Sequence, residues 1–206
     1  ARPGGFVHVH LHVDGVVPGE TGVAETLGGL LGGRDKAIDA EEADRLELSL
    51  DVIDAVFADK SLDGWDGFGL AIQAYQKRAG AVIAHVEALS KRLGRKMMVR
   101  LVKGAYWDTE VKRAQERGLN GYPVFTRKAA TDASYMACAR QMLNARPTLF
   151  PQFATHNALT VAAIMEMAGA DKTGFEFQRL HGMGETLYKS VTEGGDKIAC
   201  RIYAPV

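Results

Sequence analysis

Polar and charged residues in this chain gather at the far ends of short apolar runs. The run over residues 6–13 carries His8, His10 and His12 at every second position, with Asp14 following. Alternate residues of a strand share one face, so the three imidazoles would point the same way. Such a ladder raises the question of a divalent metal. Later runs close on Asp39 with Glu41 and Glu42, on Gln73, on Arg100 and Lys103 ahead of GAYWD, and on Arg127 and Lys128 in FTRK. Those that follow close on Thr155, His156 and Asn157 in FATHN, on Glu176, Gln178, Leu180 and His181, and on Tyr203. Polar groups of this kind are costly to bury without partners. Any one of them reads as a structural ion pair or a solvated side chain. Their shared placement reads as a site.

The chemistry of the set is mainly cationic. Arg100, Lys103, Arg127 and Lys128, with His156 beside them, suit a phosphate or pyrophosphate near glycine-rich turns and helix N-termini. Tyr106 and Trp107 offer flat faces for a ring. A phosphate-bearing aromatic cofactor fits this set better than a free metal. A metal-dependent barrel hydrolase would need a histidine on strand five and an acid on strand eight. The pattern puts Arg127 and Tyr203 there, and a cation in place of a ligand weakens metal binding. No metal is expected.

These residues need a scaffold that brings many strand ends together. Eight strand-like runs are readable, over residues 6–13, 36–39, 69–73, 97–103, 124–127, 150–155, 174–180 and 201–204. Amphipathic segments lie between them. DAEEADRLELSLDVIDAVFAD sets Ala43, Leu46, Leu50, Ile53 and Phe57 at helical spacing, and AYQKRAGAVIAHVEALSKRLG does likewise, ending at Gly94. TDASYMACARQMLNA starts at the capping residue Thr131 or Asp132, and HNALTVAAIMEMAG ends at Gly169. Regular βα alternation predicts parallel strands with right-handed crossovers, and eight of them predict a (β/α)8 TIM-type barrel. Residues 1–35 form a divergent first strand plus a glycine-rich segment that makes a poor helix. Residues 36–206 form strands two to eight of one domain. Because the chain stops just after the eighth run, the barrel is expected to be truncated before its last helix.

Composition narrows the partners. The chain has 206 residues with 25 basic and 25 acidic side chains, so no bulk charge favours nucleic acid or an anionic membrane. Cys138 and Cys200 cannot build a disulfide framework and suit a reducing compartment. No apolar run reaches the ~18 residues of a membrane span, and no signal peptide is readable. A soluble, cytoplasmic domain is the expectation.

At DAEEADRLELSLDV, LAIQAYQKRA, VRLVKGAYWDTEVKRAQ, GYPVFTRKAATDASYMACAR, FPQFATHNA, FEFQRLHGMGETLY and RIYAPV the chain resembles the proline dehydrogenase domain of bacterial proline utilization A flavoproteins. The resemblance runs from about residue 38 to 206. It implies a distorted barrel that binds FAD at its strand ends and oxidises L-proline to 1-pyrroline-5-carboxylate, with hydride transfer to flavin N5. It also implies a quinone acceptor, and leaves room for peripheral membrane association of the full-length protein and for oligomers. By similarity, Arg100 lies near flavin N5, and Gln73 and Val102 along the isoalloxazine. Arg127 and Lys128 serve the phosphates, Thr155, His156 and Asn157 the ribityl–pyrophosphate region, and Trp107 the adenine. Asp39 and Tyr106 belong to the polar network around the substrate, and Leu180 and Tyr203 pack on the proline ring. The sequence departs from the family where a first-strand lysine is replaced near His10, and where the arginine pair of the last helix is not reached. An inactive fragment of the same barrel and a metal-dependent barrel hydrolase are the alternative readings.

Overall fold

A computed structural model describes residues 7–9, 36–38 and 43–203 of the chain. Seven strands form one sheet in sequential order: β1 (Val7–Val9), β2 (Lys36–Ile38), β3 (Phe68–Gln73), β4 (Met97–Val102), β5 (Leu149–Ala154), β6 (Glu176–Leu180) and β7 (Cys200–Tyr203). Every neighbouring pair is parallel. Each new strand joins beside its predecessor, so the chain winds in one direction. That is barrel winding, as expected from the alternation, and not the reversal of a doubly wound sheet.

Six helices are described: α1 (Leu46–Phe57), α2 (Ala79–Leu93), α3 (Trp107–Glu116), α4 (Lys128–Asn144), α5 (Ala158–Ala168) and α6 (Glu185–Glu193). The core forms where their apolar stripes meet the strands. Leu70, Ile72, Val99, Leu101, Phe153 and Phe177 from β3 to β6 join Ile53, Phe57, Ile83, Val86, Met142 and Ile164 from α1, α2, α4 and α5 in one buried cluster. Phe177 sits at the centre of an aromatic group, 6.1 Å from Phe153, 5.9 Å from Phe175 and 5.9 Å from Tyr188 between ring centroids.

Helix ends follow their sequence signals in part. Gly94 ends α2 in the left-handed conformation at φ 63°, and Gly169 ends α5 at φ 66°, both as expected. Asn157 caps α5 through its Oδ1, which accepts from Thr160 N at 2.9 Å. The expected start of α4 at Thr131 or Asp132 is corrected: the helix begins at Lys128, with Arg127 in the capping position and no side-chain cap.

One expected strand is absent. Residues 124–127 do not join the sheet. Val124 forms only an isolated antiparallel bridge with Gln76, held by Lys77 N to Pro123 O at 3.0 Å and Phe125 N to Tyr75 O at 2.8 Å. The segment is tied to the exit of β3, so α3 and α4 both lie in the connection from β4 to β5. Strand numbering shifts accordingly: the fifth strand ends at Ala154, just ahead of Thr155 and His156, and not at Arg127. The glycine-rich segment 15–35, with His10, His12, Asp14 and Asp39, lies outside the described residues. Among the described residues, no helix is long and apolar enough to cross a membrane.

Candidate active site

Register places one residue set on the inner face of the sheet. Ala71 pairs with Arg100, Gln73 with Val102, and Arg100 with Gln152. Gln152 pairs with Glu176, Gln178 with Arg201, and Leu180 with Tyr203. These alternate with the apolar residues that meet the helices, as the two-residue period of a strand requires. The inner face is therefore polar, and its C-terminal end opens into a cavity.

That cavity has a volume of about 530 Å³, within the usual range for a small-molecule site. Gln73, Arg100, Val102, Tyr106, Thr155, His156, Asn157 and Tyr203 all line it. The structure thus brings together most of the residues singled out in the sequence, from the ends of β3, β4, β5 and β7. Arg100 is buried, and its guanidinium carbon lies 4.5 Å from the centroid of the Tyr203 ring. A cation over an aromatic face is attracted by the ring quadrupole.

The wall beyond β4 is set by Gly104 and Gln73. Gly104 has φ 143°, and a Cβ there would fall 2.5 Å from the Tyr75 ring. Only glycine lets residues 103–106 lie this close to β3. The Gln73 side chain is buried, and its Oε1 accepts from Ala105 N at 3.0 Å, tying the same loop. Burial pushes the Tyr75 hydroxyl up to about 12, so it stays protonated.

On the opposite wall His156 lies half-buried. Its Nε2 accepts from Leu180 N at 3.0 Å. Burial first, and the Arg179 charge second, hold its pKa below the ordinary histidine value. The ring is therefore neutral near pH 7. Leu180 does not line the cavity but stands beside Tyr203 in register.

A second cavity of about 370 Å³ adjoins the first through Lys103 and Gly104. Trp107, Thr126, Lys128, Thr131 and Asp132 complete its wall. Asp132 accepts from Lys103 Nζ at 2.5 Å and from Lys128 Nζ at 2.6 Å. These two ammonium groups, Lys103 foremost, hold its carboxyl below the usual range. Trp107 is exposed, with its Nε1 donating to Phe125 O at 2.9 Å.

Some expectations separate here. Arg127, expected as the fifth-strand cation, lines neither cavity, although its neighbours Thr126 and Lys128 line the second. Lys103 lines both. Asp132 and Gly104 were not singled out for the site. A glycine next to a strand end is the one signal the sequence offers for Gly104, and Asp132 carries only the signal of a helix cap. Among the described residues, no group of three or more His, Cys, Asp or Glu could hold a metal ion.

The donor set fits a phosphate-bearing flavin on this geometry. A buried guanidinium sits in one cavity, two ammonium groups in the next, and a neutral imidazole and an exposed indole stand beside them. Chain comparisons point the same way. The proline dehydrogenase family model matches residues 34–206. The bifunctional protein PutA of Salmonella typhimurium is 55% identical over 175 residues, covering 82% of this chain and 13% of the relative. That of Rhizobium meliloti is 57% identical over 173 residues, covering 82% and 14%. A crystal structure of a mutant proline utilization A from Bradyrhizobium japonicum superposes with a TM-score of 0.81 at 69% identity, over 84% of this chain and 18% of that one. Proline utilization A from Bdellovibrio bacteriovorus, inactivated by N-propargylglycine, gives a TM-score of 0.80 at 33% identity, over 89% and 20%. The chain thus spans only a small part of the length of the relatives it matches.

Proposed function

The chain belongs to the proline dehydrogenase family, and we propose that its barrel, residues 36–206, oxidises L-proline to 1-pyrroline-5-carboxylate on a bound FAD. The observation that carries this reading is the Arg100–Tyr203 stack in a cavity that continues into a lysine-rich one.

A bound flavin would take up the two electrons and the hydrogen that leave the proline ring, and the family resemblance points to a quinone as the next acceptor. The chain's own residues bind and orient. Arg100 brings a fixed positive charge to where reduction adds negative charge, which favours reduction. Gln73 and Val102 form the side of the ring site. Thr155, His156 and Asn157 line the opposite wall, where the neutral His156 offers its Nδ1–H as a donor. Lys128 and Arg127, with Lys103 beside them, meet the phosphates, and Trp107 offers a face to the adenine. Tyr203 gives an apolar wall to the small substrate ring, with Leu180 beside it in register, and Tyr106 supplies its polar rim; the family resemblance adds Asp39 to that polar network.

The test is optical. The purified chain reconstituted with FAD is expected to turn yellow and to bleach when L-proline is added without oxygen. Arg100→Met is expected to weaken FAD binding at least about tenfold, as loss of a charged contact does. Protein that stays colourless after reconstitution would remove the flavin reading. Protein that binds FAD but never bleaches with L-proline would remove proline oxidation and leave an inactive flavin-binding barrel.

A further inference from the structure

Below the cavity, three strands converge on one carboxylate. Glu176 on β6 is 6% exposed. Its Oε1 accepts from Gln152 Nε2 on β5 at 2.9 Å, from Gln178 Nε2 at 3.0 Å and from Arg201 Nε on β7 at 2.7 Å. Its Oε2 accepts from Arg201 Nη2 at 3.2 Å. Two routes run from this carboxylate to Arg100. One passes through Gln152, the register partner of Arg100 on β4. The other passes along β7, where Arg201 stands two positions before Tyr203, the ring stacked against Arg100.

A buried ion pair adds little net stability compared with apolar side chains of the same volume. Layers of branched apolar residues fill barrel interiors well. A forked arginine–carboxylate pair differs from such a layer in direction: it fixes the relative placement of two strands through parallel hydrogen bonds. Here it fixes β7 against β6 immediately below the aromatic ring. It also sets the charge beneath the site, one anion and one cation under the Arg100 guanidinium.

We propose that Glu176 and Arg201 are positioning residues for the flavin site: their buried pair holds the Arg100–Tyr203 stack in place and sets the charge that the bound flavin senses. This rests on the flavin reading above. Deleting the anion makes the charge beneath the ring system more positive and favours the reduced flavin. Deleting the cation leaves the carboxylate and disfavours it. A pair that only stabilised the fold would lower the melting temperature of both variants without this opposition of sign.

The experiment measures the midpoint potential and dissociation constant of FAD on the reconstituted chain, wild type against Glu176→Gln and Arg201→Gln. The potential is expected to rise in Glu176→Gln and fall in Arg201→Gln. Each shift corresponds to roughly a tenfold change in preference between oxidised and reduced flavin, or about 30 mV for a two-electron couple. Where a single variant does not fold, the double variant Glu176→Gln/Arg201→Gln decides. It removes one charge of each sign, and its FAD dissociation constant is expected to rise at least tenfold with a changed visible circular dichroism band. Wild-type potentials in both single variants, shifts of one sign, or wild-type affinity and dichroism in the double variant would overturn the positioning role while the flavin reading stands. A wild-type chain that takes up no FAD would overturn both.

Discussion

Leu180 donates its backbone N–H to Nε2 of His156 across 3.0 Å. The bond requires an unprotonated Nε2, so it fixes the imidazole as the Nδ1–H tautomer. It also joins the turn after β5 to the end of β6, where Leu180 stands beside Tyr203. One neutral ring thereby links the cavity wall to the neighbouring strand.

That link titrates. Burial, aided by Arg179, lowers the His156 pKa in the folded protein. The unfolded chain therefore takes up the proton first as pH falls. The stabilisation is fully present above the ordinary histidine value of ~6.5 and is lost as pH falls through the depressed folded value. Melting temperatures measured between pH 8 and pH 5 should fall on the acid side in the wild type. His156→Gln, which cannot titrate, should show a shallower acid fall and cost about 1 kcal/mol at pH 8. Parallel profiles for the two proteins would show that His156 carries no part of the pH dependence.

Gly104→Ala should destabilise by about 2–4 kcal/mol, combining a strained φ with overpacking against Tyr75. Gly118→Ala is the matched control. Its φ of 62° is also positive, but nothing lies within 4 Å of the added Cβ, so only about 1 kcal/mol is expected. Urea unfolding of the two variants checks the difference, and equal costs would mean that the Tyr75 ring yields freely.

Asn157 caps α5 and lines the cavity. Asn157→Ala should cost about 1 kcal/mol of stability. Asn157→Asp keeps a capping oxygen and should unfold near the wild-type denaturant concentration, yet bind FAD more weakly because it sets an anion among the phosphates' neighbours. Stability and affinity falling together in the aspartate variant would make the cap its only role.

Asp132 engages both Lys103 and Lys128. Asp132→Asn should raise the positive charge of the second cavity and tighten FAD binding several-fold at low ionic strength. The gain should vanish near 1 M salt, where screening reaches about 3 Å. Titration at two salt concentrations tests this. Weaker binding at both would show that the carboxylate orients the lysines instead.

The sequence made the outer faces legible and hid the inner one. β3, β4, β5 and β6 announce themselves because their helix-facing residues are apolar and close on polar groups. Residues 124–127 imitate that pattern through Val124, which is fully buried, but its backbone pairs with Gln76 outside the sheet. Periodicity records burial and not the partner that supplies it. Helix α3 escaped because only Glu110 and Ala114 of WDTEVKRAQE are buried, which leaves no apolar stripe to see. Gln152 reads as an ordinary polar strand residue, and Glu176 and Gln178 read only as members of the strand-end polar set. Their burial together is a matter of register, which a one-residue slip would reverse. The site residues at strand ends were legible because each was polar at the close of an apolar run. Lys103 in the second cavity was legible only as one member of a cationic set.

The Gln73–Ala105 bond has a further consequence for how the wall can be watched. Ala105 is exposed, and an exposed loop amide ordinarily exchanges its hydrogen with solvent freely. Here its acceptor is a buried glutamine oxygen anchored in β3. Deuterium uptake at that single amide therefore reports the opening of the loop away from the strand. A slow amide at an exposed alanine is a local clock for breathing of the cavity mouth, readable before any ligand is added.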